Sequence, residues 1–163
     1  MAATVDIHVN TGASAGSESS AVTASGFDLM SADNATNSTA NRAAYPITAN
    51  SQSYEKWITA KVTTAPDNAV DNFQLWGDGA VTSSTDLYVG VTATGVTPTS
   101  GNSTPATNDW ATYTSGNKFA WHATDMTGAG SLTDFAVFQL DVDADAAAGN
   151  WTQEVINYSY DET

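Results

Sequence analysis

Apolar residues recur at every second position in a series of short runs, and almost nowhere at the spacing of an amphipathic helix. A period of two marks a half-buried β-strand, because successive side chains point to opposite faces of a sheet. Residues 4–9 set Val5, Ile7 and Val9 against Thr4, Asp6 and His8, and residues 26–30 put Phe27 and Leu29 on one face. The longest run is 53–63, with Tyr54, Ile58, Ala60 and Val62 on one side and Glu55, Trp57, Thr59 and Lys61 on the other. Lys56 falls on the apolar side near the start of that run, where its stem is expected to snorkel to water. Further strands are expected at 72–76, at 86–92 through Leu87, Val89 and Val91, and around Phe119, Trp121 and Ala123. Residues 134–143 are apolar on both faces at their start, as a central strand would be. Residues 151–160 close the chain, with Ile156, Tyr158 and Tyr160 facing one way and Trp151 and Val155 the other.

Turn chemistry separates these runs. Pro66 stops one strand, and Gly77-Asp78-Gly79 ends another. Three stretches, 11–20, 31–44 and 93–108, hold small or polar residues with almost no apolar mass and read as loops. The pattern predicts an all-β chain: a single antiparallel two-sheet sandwich over 1–163, immunoglobulin-like or jelly-roll-like, with long Ser/Thr/Asn-rich loops. Residues 1–20 are expected to supply an N-terminal strand and arm.

Composition then excludes several functions. Eighteen acidic residues stand against one arginine (Arg42) and three lysines (Lys56, Lys61, Lys118), a formal charge of −14. Such a surface cannot neutralise a phosphate backbone and is repelled by anionic lipid, so neither nucleic acid nor membrane is an expected partner. The absence of cysteine removes thiol catalysis, thiolate zinc sites and disulfides together. The N-terminus has no basic segment followed by an apolar core, so no signal peptide is expected. Yet the richness in Thr, Ser, Asn, Gly and Ala is that of β proteins displayed outside cells. Synthesis in a host cytoplasm followed by display on a virion's outer surface reconciles the two. Adaptation to a saline environment would also explain the acidity.

Candidate chemistry is sparse. His8, on the outer face of the first strand, and His122, in WHATD, read as surface or edge residues, and no nucleophile elbow accompanies them. Four glutamates are scattered and most aspartates sit in turns, so no catalytic residue is assigned and no enzyme is expected. Asp141, Asp143 and Asp145 alternate in DVDADAAAGN and could begin a calcium loop, although Ala146 and Thr152 stand where an EF-hand needs Gly and Glu. The same three side chains would equally form a solvated acidic strand end. Five N-x-[ST] triplets, at Asn34, Asn37, Asn102, Asn150 and Asn157, are not far above what 12 Asn and 40 Ser plus Thr give by chance. Trp110 and Tyr113 lie in a loop-like stretch, NDWATYTSGN, and are the candidates for an interface or a glycan-stacking contact.

Two segments resemble known proteins. ITANSQSYEKWITAKVT, NFQLWGDGAV and TDLYVGVT resemble small β-sandwich structural proteins of tailed bacteriophages, and VFQLDVDADAAAGNWTQEVINYSYDE resembles the last two strands of immunoglobulin-like surface domains. The resemblance covers about half the chain, 47–92 and 137–162, and carries no active-site motif. It implies a non-enzymatic virion structural protein, a decoration or cement protein on the outside of a phage head. The implied partners are the major capsid protein and further copies of the chain. The alternative is a tail- or fibre-associated module for host recognition or carbohydrate binding.

Overall fold

A computed structural model describes residues 2–33, 36–79, 81–101, 105–149 and 153–163. Its strands are β1 (Thr4–Thr11), β2 (Ser17–Ala21), β3 (Ser51–Gln52), β4 (Lys56–Thr64), β5 (Val70–Trp76), β6 (Thr85–Thr92), β7 (Asn108–Asp109), β8 (Phe119–His122), β9 (Phe135–Val142) and β10 (Asn157–Glu162). The larger sheet runs β2-β1-β4-β9-β6-β7, with β3 also paired to β9, and the smaller runs β10-β5-β8. Every pairing is antiparallel, so the chain is an antiparallel two-sheet β-sandwich, as the alternation predicts.

Strand β9 occupies the centre, between β4 and β6. Its alternation feeds two cores. Ala136, Phe138 and Leu140 enter the space between the sheets, where they join Ile58, Ala60 and Val62 of β4 and Phe73, Leu75, Phe119 and Trp121 of the smaller sheet. Val137 faces the opposite way and packs with Trp57, Ala15 and Ala106 in a second, smaller core on the outer side of the large sheet. Burying each large side chain contributes about 1.5–3 kcal/mol, and the two-sided burial explains why β9 reads as an uninterrupted apolar run.

Four expectations change. Residues 26–30 form no strand: Gly26 at φ 69° breaks the extended chain, and the segment packs against the main core with Met30 buried and Phe27 5.8 Å from Phe138. Residues 11–20 are not a loop or free arm. They turn through a 3-10 segment, Ala13–Ala15, into β2, which pairs with β1. An edge strand of serine and glutamate carries no apolar signature, because its strand identity comes from the neighbour's backbone. The 31–44 stretch includes one helix, α1 (Thr39–Ala44), started by the Ser38 hydroxyl accepting from Asn41 N at 3.1 Å. Lys56 does not snorkel: it is 1% exposed, opposite Phe138 in the ladder. Burial pushes its amine down to about 8, while Asp33 and Asp28 pull the other way.

Where β2 stops short of the start of β1, and at the break in their ladder, side chains take up the backbone groups of β1. Thr23 Oγ1 accepts from Ile7 N at 2.7 Å and Ser19 Oγ from Val9 N at 3.0 Å. The Tyr158 and Tyr160 hydroxyls donate to the Val5 and Ala3 carbonyls, each at 3.4 Å. A register irregularity between His8 and Asn10 also breaks the β1–β2 ladder. These features blunt an edge that would otherwise offer unpaired backbone groups.

Candidate functional site

The β6–β9 ladder runs without interruption from Thr85↔Val142 to Thr92↔Phe135, and its two ends differ in chemistry. At one end Asp86 lies directly opposite Asp141, a like-charge pair that disfavours the sheet. Tyr88 follows on the same face, opposite Gln139 in β9 and Asp109 in β7. Burial raises the Tyr88 phenol pKa, and the fields of Asp86, Asp141, Asp109 and Asp143 raise it further. Gln52 Nε2 donates to Asp141 Oδ2 at 3.4 Å. Beside this pair opens a hollow of about 510 Å³, lined by Asn50, Ser51, Gln52, Ser100, Gly101 and Asp141.

Towards the other end of the ladder three apolar side chains are exposed. Val91 is 41% exposed, Val96 49% and Leu132 45%. Val91 pairs with Ala136 near the start of β9, Leu132 lies three residues before that strand, and Val96 follows Gly95, which rests on Phe135 and Ser14. Five residues of extended chain separate Asp86 from Val91, about 17 Å.

A strap joins the ends. Residues 93–101 leave the apolar end and cross the outer face of the large sheet to the hollow. Thr99 N and Trp57 Nε1 both donate to Glu55 Oε2, at 3.2 and 3.0 Å, and Glu55 N donates to Thr99 O at 2.9 Å. The buried Gln139 amide donates to Gly101 O at 2.8 Å and to Ser53 O at 3.0 Å. Gly90 permits the later part of the loop to lie flat, since a Cβ there would overlap the Pro105 carbonyl. Glu55 and Lys56, neighbours on opposite faces, are thus both buried, one under the strap and one between the sheets.

The residues singled out by sequence fall as follows. Trp110 and Tyr113 do meet, with ring centres 6.2 Å apart, but Trp110 is 1% exposed and stands edge-on to Phe138 at 5.1 Å. The turn that reads as an exposed loop is a 3-10 segment, Trp110–Thr112, capped by Asp109 and folded inward, so Trp110 offers no stacking face. Tyr113 is half-buried against Phe119. Asp141 belongs to the acidic end, Asp143 lies just past β9 and Asp145 in the exposed turn beyond. Among the described residues, no three His, Cys, Asp or Glu side chains are grouped to hold a metal ion, so the calcium set is not assembled there. His8 is not a surface residue: it is buried, with Nδ1 2.8 Å from Ser19 O and 3.4 Å from Glu18 Oε1. His122 Nδ1 sits 3.0 Å from Asp134 Oδ2, and the two histidines belong to different sheets. Asn37 donates to Ser25 O at 2.7 Å and Asn157 begins β10. Asn34, Asn102, Asn150 and Trp151 lie outside the described residues.

Asp86 and Gln52 are the site residues that sequence reasoning missed, whereas Tyr88 belongs to the aromatic set that it offered for carbohydrate stacking. The alternation that sends Leu87 and Val89 inward already assigns Asp86 and Tyr88 to the opposite face, but only strand pairing sets them beside Asp141. No family model, curated protein or solved structure matches the chain. No helix among the described residues is long and apolar enough to cross a membrane. The site offers hydrogen bonding and negative charge at one end and apolar contact at the other.

Proposed function

We propose that this chain is a virion structural protein of the decoration or cement type, bound by the apolar end of its ladder to the outside of a tailed-phage head. The observation that carries this reading is the opposition of the two ends on one pair of strands. Val91, Val96 and Leu132 supply surface whose burial against a shell protein is favourable. Asp86, Asp141, Asp109 and Asp143 keep the far end solvated and repel polyanions, so the partner is the protein shell and not the genome. Each contact is small, and copies held side by side on a lattice, touching the major capsid protein and one another, convert weak contacts into a firm hold. The role asks for shape and adhesion and no bond-breaking group. Quantitative mass spectrometry of purified particles tests it: high copy number and lowered heat tolerance of particles lacking the chain are expected, and absence from particles ends the reading.

A second reading, a tail- or fibre-associated host-recognition or carbohydrate-binding module, is favoured by the polar hollow at the acidic end. It predicts few copies per particle, located at the tail.

A further inference from the structure

We infer that the hollow between β3 and residues 99–101 is a binding site for a neutral saccharide. The inference deepens the carbohydrate reading but does not depend on the chain sitting at a tail, since an outward-facing head protein presents the same hollow. Buried polar groups lie behind its lining and tie the two sides together. Ser53 is fully buried, donates from its backbone N to Leu140 O at 2.8 Å, and accepts from Leu140 N through Oγ at 3.0 Å. Gln139, 2% exposed, then ties Ser53 O on one wall to Gly101 O on the other through a single amide. A surface hollow whose backing groups are already tied together loses little ordering entropy on binding.

The lining suits hydroxyl groups. Asn50 and Gln52 each carry a planar amide with donors and an acceptor, Asp141 a carboxylate, and Ser51 and Ser100 hydroxyls. Planar amide and carboxylate groups can engage two neighbouring hydroxyls of a sugar ring at once. Among the described residues Asp141 makes one side-chain hydrogen bond, the long one from Gln52, so acceptor capacity remains. Tyr88, diagonal to Asp141 across the ladder, is partly exposed and packs on the second core next to the hollow. The hollow, about 510 Å³, is shallow and open to solvent, which restricts it to a surface-bound sugar. Charge sets the class: with Asp86, Asp109 and Asp143 around Tyr88 and Asp141, sialylated, sulfated or phosphorylated sugars are repelled.

The test is an array of neutral and anionic glycans probed with the full chain. The best neutral oligosaccharide is then titrated in solution while backbone and side-chain amide NMR signals are followed. Retention of neutral glycans, no retention of anionic ones, and shifts centred on the Asn50 and Gln52 side-chain amides are expected. Asp141→Ala should weaken binding by at least about tenfold, and Asp141→Asn, which keeps a planar acceptor, should recover most of it. Asp161→Ala, on the smaller sheet, should change nothing. Failure to retain any neutral glycan, equal retention of anionic glycans, or shifts that avoid Asn50 and Gln52 in the unaltered protein would overturn the inference. The NMR result needs no variant to fold. Particle copy number is read separately, so loss of the decoration reading and loss of this one are distinguishable.

Discussion

The two ends of the β6–β9 ladder are made of the same strands, yet each is unfavourable for a different reason. The acidic end sets Asp86 against Asp141, which repel. The apolar end leaves Val91, Val96 and Leu132 in water. Between them the same ladder is covered on both faces, by the main core and by the second core of Trp57, Val137, Ala15 and Ala106. The contrast divides one element into a covered middle that supplies stability and two costly ends, which the proposed reading assigns to contacts with other molecules.

The largest effect is expected where the strap is fastened. Trp57→Ala removes a fully buried indole and the donor to Glu55, and should cost about 3–5 kcal/mol in urea unfolding. If the loss is small, the middle is not what holds the ends apart. Next is the pH response of Lys56. Its amine pKa is near 8 folded and near 10.5 unfolded, so between those values the unfolded chain binds more protons and stability rises with pH. Relative to Lys56→Met, the native chain should gain roughly 3 kcal/mol from pH 7 to pH 11, read from unfolding at matched ionic strength. A parallel pH profile for the two proteins would show that the amine is solvated after all.

Smaller effects compare the ends directly. Val91→Asp with Leu132→Asp should weaken reattachment to stripped particles by about tenfold, with the folded state nearly unaltered because both residues are exposed. Asp86→Asn should leave reattachment unchanged, and the reverse pattern would exchange the roles of the two ends. Smallest is the stability of Asp86→Asn itself, expected to rise by about 0.2–1 kcal/mol at low salt and to fade as salt screens the pair. No gain would mean that Gln52 already offsets the repulsion.

The sequence made the strand architecture legible wherever a strand has one wet and one dry face, as in β1, β6 and β9. It failed where identity comes from a neighbour. β2 is a strand because β1 pairs with it, and Ser17–Ala21 carries no pattern of its own. Trp110 read as exposed because turn residues surround it, whereas a 3-10 turn directs it to Phe138. Lys56 read as snorkelling because alternation gives a face but not the depth of cover above it. The hollow was the least visible, being assembled from β3, β9 and the 99–101 loop, segments far apart in the chain that meet through Ser53 and Gln139. Asp141 was singled out for its spacing to Asp143 and Asp145, but its relevant neighbours, Asp86 and Gln52, lie across strands.

The capped margin of β1 also decides how copies can meet. With the Val5 and Ala3 carbonyls already taken by tyrosine hydroxyls and the Ile7 and Val9 amides by Thr23 and Ser19, the part of β1 that β2 leaves uncovered presents little main chain for another copy to extend. Along this border, recognition between copies then falls to side chains, whose contacts are discrete and reversible and do not propagate.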